Sequence, residues 1–181
     1  MSKQRQFDYE EDFVALTVLC YLDCNAKKYL INPQKQSQML NSSLLVYSVV
    51  IAMLGASLYG IFTNEEEEYN PYIPDTHMLW FIKFPCAIAL HFTLTPQIQC
   101  GMEIMKFANQ QWEQFVPNGS AISFMLGLIQ VFTGVLCTFC NIVELAYQNN
   151  IQYCIVYFVA LHVIMEVKNL YFESLKTNML K

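Results

Sequence analysis

The feature that most constrains the fold is a pair of long uncharged stretches, 44–63 and 121–143. They contain 20 and 23 residues, respectively, without a single Asp, Glu, Lys or Arg. A helix of about 20 apolar residues is long enough to cross the hydrocarbon core of a bilayer, which is about 30 Å thick. Each stretch therefore predicts a membrane-spanning helix.

Two weaker segments, 78–96 and 151–169, complete the predicted set of spans. Each is 19 residues long, contains one histidine and at least one charged residue, and is bounded by polar sequence. The whole chain has 14% charged residues, whereas soluble domains have roughly 25%. We predict an all-α integral membrane four-helix bundle, with its four-span domain at 44–170.

The positions of the basic residues predict the orientation of the chain. Of its 10 basic residues, only Lys83 lies away from the predicted inner side, and the loops at 64–77 and 144–150 have none. Short loops rich in Lys and Arg stay on the cytoplasmic side during insertion. We therefore expect both termini, 1–43 and 171–181, on the inner side. The inner bases are Lys3, Arg5, Lys27, Lys28, Lys35, Lys106, Lys168, Lys176 and Lys181.

An acidic, proline-containing loop between the first two spans lies on the predicted outer side. Two interpretations stand. The loop is a solvated connection toward which Lys83 extends its ammonium group, or it forms a vestibule that attracts cations. Its acidic residues are Glu65, Glu66, Glu67, Glu68 and Asp75.

The segment at 13–31 precedes the first span. Its clean apolar run is too short to span comfortably, because Asp23, Lys27 and Lys28 follow it. We expect a helix that lies on the inner membrane surface or docks on the bundle. The alternative is a fifth span, with the other four unchanged.

Small residues recur at helical spacing in two of the predicted spans. In lipid, small residues let helices approach closely, and they are a common signal of helix contact. We therefore predict two helix-packing faces. They contain Ala52, Ala56 and Gly60 at every fourth position, and Gly127, Gly134 and Asn141 at every seventh.

Polar residues within the spans are the candidates for chemistry. At about 1.5 Å per residue, His91, Gln130 and His162 are expected near mid-depth, with Glu166 on the same helix face as His162 near the inner boundary. Ionisable groups in membranes often line an ion or proton path. The alternative is that these side chains form hydrogen bonds between helices.

Other functional classes have little support in the sequence. A net charge of −5 argues against nucleic-acid binding, which needs clustered Lys and Arg. No phosphate-binding loop or catalytic motif was found, and we expect no enzyme activity, cofactor or metal. The Cys137 to Cys140 pair has the spacing of a metal or redox pair, but it lies inside a predicted span, so we interpret it as helix packing.

Two stretches, "IMKFANQQWEQFVPNGSAISFMLGLIQ" at 104–130 and "NIVELAYQNNIQYCIVYFVALHVIMEVKNLYFESL" at 141–175, carry a resemblance. They resemble small multi-pass membrane proteins of ciliated protozoa. In this chain "NQQWEQF" stands where that group has a His-Pro loop centre, and "MEVKN" replaces an acidic ending. The resemblance implies a four-span topology and a protist source, and it implies no function.

Two functional hypotheses follow. The first is a non-enzymatic accessory subunit that packs against the helices of a larger membrane complex, such as an energy-transducing or channel assembly. The second is a homo-oligomeric ion or proton channel or transporter that uses His91, Gln130 and His162. The expected partners are lipid and either other transmembrane subunits or copies of this chain. A plasma membrane, an endomembrane and the mitochondrial inner membrane all fit this sequence.

Overall fold

Four long helices make up the described part of the protein. The computed structural model describes Thr17, Val18, Tyr21 and residues 33–63, 77–148 and 151–179. All four helices are long and apolar enough to cross a membrane, which confirms the predicted all-α, four-span integral membrane protein. They are α1 (Pro33–Thr63), α2 (His77–Gln110), α3 (Gly119–Tyr147) and α4 (Ile151–Met179), with a short 3-10 turn at Trp112–Gln114 before α3.

Helix α2 is longer than the sequence predicted. The predicted span ended at Pro96, but the helix continues through both Pro85 and Pro96 to Gln110. Membrane helices tolerate proline, because nearby side chains and neighbouring helices satisfy the backbone groups that proline leaves free. Its 34 residues are about 51 Å long, so α2 extends well beyond a hydrocarbon core of about 30 Å.

The ends of the other helices also differ from the predicted spans. Helix α3 continues past Val143 to Tyr147, so Glu144 belongs to the helix and not to the predicted outer loop. Helix α1 begins at Pro33, a residue that suits the first helical position because its missing N–H needs no partner there. Helix α4 runs through most of the predicted tail to Met179.

The bundle is apolar outside as well as inside. Helices α2 and α3 pack most extensively, α4 lies against both of them, and α1 packs against α3 and α4. A central cluster joins all four helices, and it consists of Val46, Val50, Leu54, Leu90, Leu94, Cys137, Cys140, Leu161, Ile164 and Met165. The outer surface still exposes large apolar side chains such as Phe81, Phe92, Phe132 and Val156. A surface of this kind suits lipid as the surrounding solvent.

Two glycines of α3 lie in close contact with α2, one against its backbone and one against a side chain. A Cβ atom added at Gly127 would lie 2.8 Å from the Gly101 carbonyl oxygen. A Cβ atom added at Gly134 would lie 2.6 Å from Cγ1 of Ile98. Side-chain carbon cannot be accommodated at such distances without movement of α2.

Three described residues of the N-terminal segment dock on one end of the bundle. Thr17, Val18 and Tyr21 are all buried. The hydroxyl groups of Thr17 and Ser43 share a hydrogen bond of 3.1 Å, and the Ser43 hydroxyl also lies within hydrogen-bond distance of Met39 O. The Val116 N–H donates to Tyr21 O at 3.0 Å, which places Tyr21 level with the loop between α2 and α3.

That position bears on the two predictions for 13–31. Residue 21 is close to the midpoint of this segment, so a fifth span would place it near mid-depth. Tyr21 lies instead at the end of the bundle, beside Val116. The described residues therefore agree with a docked segment, and the rest of 13–31 lies outside the described part of the chain.

The glycine contact predicts a difference between two Gly→Ala substitutions. Gly127→Ala forces α2 and α3 apart, and overpacking of this kind typically costs about 1–3 kcal/mol. Gly55→Ala is the control, because a Cβ atom there meets nothing within 4 Å and alanine favours a helix by about 0.5–1 kcal/mol. Thermal unfolding in detergent should show a lower Tm for the first variant only. Equal Tm values would contradict the close contact.

The orientation from the charge distribution has a separate test. The acceptor sequences at Asn41 and Asn118 lie on the predicted inner side, so they should remain unglycosylated in eukaryotic cells. Glu66→Thr turns Asn64-Glu65-Glu66 into an acceptor in the predicted outer loop, and this variant should gain a glycan. A gel shift that glycosidase treatment reverses measures glycosylation of the unaltered chain and of the variant. Glycosylation of the unaltered chain would reverse the assigned orientation.

Candidate functional site

The buried face of α3 is polar, although the helix crosses an apolar medium. Ser123, Gln130, Cys137 and Glu144 recur at every seventh position, and a parallel line contains Gly127, Gly134 and Asn141. All seven residues are buried. The opposite face exposes Phe124, Met125, Leu128, Phe132, Val135, Phe139 and Ile142. Polar residues in spanning helices usually face the bundle interior, so α3 has the orientation of a membrane helix.

The two predicted helix-packing faces lie in different environments. Gly127, Gly134 and Asn141 are buried within the chain, and the two glycines contact α2. The α1 residues Ala52, Ala56 and Gly60 are all exposed, and so is Gly55. A Cβ atom added at Gly55 or Gly60 meets no atom within 4 Å. The small-residue face of α1 therefore lies on the outside of the bundle.

The predicted mid-depth polar group consists of His91, Gln130 and His162. His91 is exposed on α2, and its ring contact is with Phe92. His162 is half-buried and stacks on Phe158. Gln130 is buried in α3 with 2% of its surface exposed. The three side chains thus lie on three helices and differ in exposure and in ring contacts, and a path that uses all of them stays a prediction.

Glu166 also has a local partner. Its Oε2 accepts a hydrogen bond from Nδ2 of Asn169 at 2.9 Å on the same helix. The neighbouring Lys168 is buried, and its ammonium group donates to Gln97 Oε1 of α2 at 2.8 Å. The sequence placed Lys168 among the inner charges, whereas the structure places it between two helices.

A second buried lysine lies at the predicted outer end of the bundle. Lys83 of α2 has 9% of its surface exposed and lies near Cys154 of α4. Cys154 belongs to a small apolar cluster with Leu79 and Leu145. The predicted interaction with the acidic loop concerns Glu65, Glu66, Glu67, Glu68 and Asp75, all outside the described residues.

The most unusual polar contact joins α1 to α3. Glu144 is 1% exposed, and its Oε1 accepts a hydrogen bond from the half-buried Ser57 hydroxyl. Its Oε2 is also buried and has no hydrogen-bond partner among the described residues. The sequence prediction missed this site because it ended the third span at Val143. The seven-residue spacing from Ser123 was the signal that could have found it.

No metal cluster is present in the part of the chain that the structure describes. Groups of three or more His, Cys, Asp or Glu residues that could hold a metal are absent there. Cys137 and Cys140 are fully buried thiols, and the Cys140 Sγ donates weakly to Leu54 O at 3.9 Å. Both therefore act as small packing residues between α3 and its neighbours.

Comparisons with known proteins did not find a relative of this chain. No protein-family model, curated protein or solved structure matches the chain. The resemblance to ciliate membrane proteins therefore stays a prediction.

The Lys168–Gln97 contact predicts a measurable stability difference. Gln97→Leu removes an acceptor from a buried ammonium group, and a hydrogen bond to a charged group contributes about 1.5–3 kcal/mol. The matched control is Gln99→Leu, because Gln99 lies on the exposed face of α2. We expect a lower Tm in detergent for the first variant and no loss for the second. Adding Lys168→Met to Gln97→Leu should recover part of the loss, since both partners are then apolar.

Proposed function

We propose that this protein is a non-enzymatic, multi-pass subunit that packs through α1 against a transmembrane helix of a larger membrane assembly. The observation that supports the proposal is the exposed small-residue face of α1. Ala52, Ala56 and Gly60 follow one line along the helix, and Gly55 lies beside it. An energy-transducing complex or a channel complex is the kind of assembly in which such a subunit would fit.

The physical reason is the weakness of hydrophobic attraction between helices in lipid. Lipid tails are as apolar as Leu, so helices associate through close backbone approach and polar contacts. This chain already uses that chemistry at Gly101 and Gly127, where α2 and α3 meet. The small-residue face of α1 is the same kind of surface, and none of the described residues covers it.

The exposed surface of α2 provides a contrast. It presents large side chains, including Trp80, Phe81, Phe84 and Phe92. Bulky, mobile side chains of this type suit fluid lipid and prevent the close approach of another backbone. The proposed partner therefore contacts α1 and leaves the aromatic side of α2 to lipid.

The alternative is a homo-oligomeric channel or transporter. In favour of it, His91 lies on the exposed surface, where it could face a second copy. However, Gln130 is buried and His162 belongs to another helix, so a path through all three would require rearrangement. The α2–α3 glycine contact also leaves little space between these helices inside one chain. We therefore rank the accessory role first.

Purification in mild detergent tests the proposal. Ala56→Leu fills the small-residue face and should reduce recovery of the subunit in the high-mass complex at least about tenfold, which corresponds to about 1.4 kcal/mol. Ala89→Leu makes the same change at an exposed position of α2, and it should leave recovery unchanged. Gel filtration of each isolated variant checks that it folds.

The same experiment distinguishes the two roles. Different proteins in fixed ratio with this chain support the accessory subunit. A symmetric ring of this chain alone contradicts it and favours the channel. In that case, ion flux into liposomes should fall in His91→Ala.

A further inference from the structure

The carboxyl group of Glu144 is buried, and its surroundings do not satisfy all of its hydrogen-bonding capacity. It is located one turn before the end of α3, and its Oε1 accepts from Ser57 of α1. Its Oε2 points into the protein with no hydrogen-bond partner among the described residues. A buried polar atom without a partner typically costs about 1–3 kcal/mol.

The two protonation states leave different deficits, because a proton removes the negative charge but not the unpartnered polar atom. An ionised carboxylate has one oxygen without a donor and a negative charge without a counter-ion. A neutral acid has either an O–H group without an acceptor or a carbonyl oxygen without a donor. A bound proton would remove the buried charge, and a bound Na⁺ would both balance the charge and contact the oxygens.

The surrounding ionisable groups do not neutralise it. From α3 itself, Cys137 and Cys140 lie nearby as buried thiols. The ionisable groups buried at this end of the other helices are Lys83 of α2 and Cys154 of α4, which lie close to each other. Helix α1 contributes the Ser57 hydroxyl. Within the described ranges, no ion pair joins Glu144 to a lysine.

We propose that Glu144 and Ser57 form a binding site for a small monovalent cation, either a proton or Na⁺, between α1 and α3. Hard cations take oxygen ligands, and this site offers the two carboxylate oxygens and the Ser57 hydroxyl. One negative charge matches a single positive one. A transition metal fits less well, because no cluster of three ligating side chains exists among the described residues.

The Ser57–Glu144 pair lies near one end of the bundle. Ser57 is half-buried and lies six residues before the end of α1 at Thr63, or about 9 Å along the helix axis. Glu144 lies three residues before the end of α3 at Tyr147, or about 4.5 Å. The proposed site therefore lies within two helical turns of the predicted outer end of both helices. The proposal is independent of the accessory role.

Carbodiimide labelling of the full-length protein tests the site. N,N′-dicyclohexylcarbodiimide is apolar, and a carboxylic acid adds across its C=N bond. The acid proton goes to nitrogen and the carboxyl oxygen to carbon, and rearrangement then gives a stable N-acylurea without loss of any atom. We expect peptide mass spectrometry to find the label on Glu144. The Glu144→Gln variant should lack it.

The dependence on pH and Na⁺ separates the two cations. For a proton site, the labelling rate should fall about tenfold per pH unit above its midpoint, with no effect of Na⁺. For a Na⁺ site, NaCl should slow labelling at constant pH, whereas choline chloride at equal ionic strength should not. Ser57→Ala should move the pH midpoint or abolish Na⁺ protection. Glu166→Gln, which removes a carboxyl on another helix, should change neither.

A second measurement does not depend on access of the reagent. A bound cation stabilises the folded protein, so the Tm of the unaltered chain should respond to pH or NaCl more than that of Glu144→Gln. The proposal is overturned if Glu144 labelling is absent or independent of both pH and Na⁺, and the two proteins show the same Tm response. Glu144 would then be a permanently occupied structural group.

Discussion

The weakness of hydrophobic attraction between helices in lipid is the constraint on which this structure depends. Because the surroundings are as apolar as the helices, burying more Leu or Phe between them gains little. The contacts must come from close packing of small residues and from polar groups that avoid lipid. Helix α3 meets both requirements, with glycine and polar side chains inward and Phe124, Phe132 and Phe139 outward.

The α2–α3 pair is the framework for the other elements. Contact between the Gly101 and Gly127 backbones sets the distance between these helices, α4 packs against both, and α1 packs against α3 and α4. At one end, Tyr21 binds the loop that joins α2 to α3. At the other end, Ser57 binds Glu144. Helix α1 is thus held at the level of Glu144 by a polar contact, in a medium where apolar contact alone would allow it to slide.

The length of the uncharged stretches predicted the fold well, because the thickness of the membrane sets the length that a spanning helix needs. The stretches 44–63 and 121–143 were identified for this reason. Helix ends were predicted less well. The prediction ended one span at Pro96 and another just before Glu144, because proline and glutamate often end apolar helices, but both residues lie inside helices. The exposure of His91 was not predictable in the same way, because apolar residues surround it on every side of α2 and the sequence does not indicate which side meets the bundle.

The buried ionisable groups are not required for packing alone. An apolar residue in place of Glu144 would avoid the desolvation of a carboxyl group, and replacing buried ionic groups by apolar ones is often neutral or stabilising. Ser57 adjoins Ala56 on α1, so the proposed ion site and the proposed partner face share one helix. A shift of α1 by even a fraction of a turn would change the Ser57 contact and the exposed small-residue face together. Occupancy of the ion site and contact with a partner would therefore influence each other through α1.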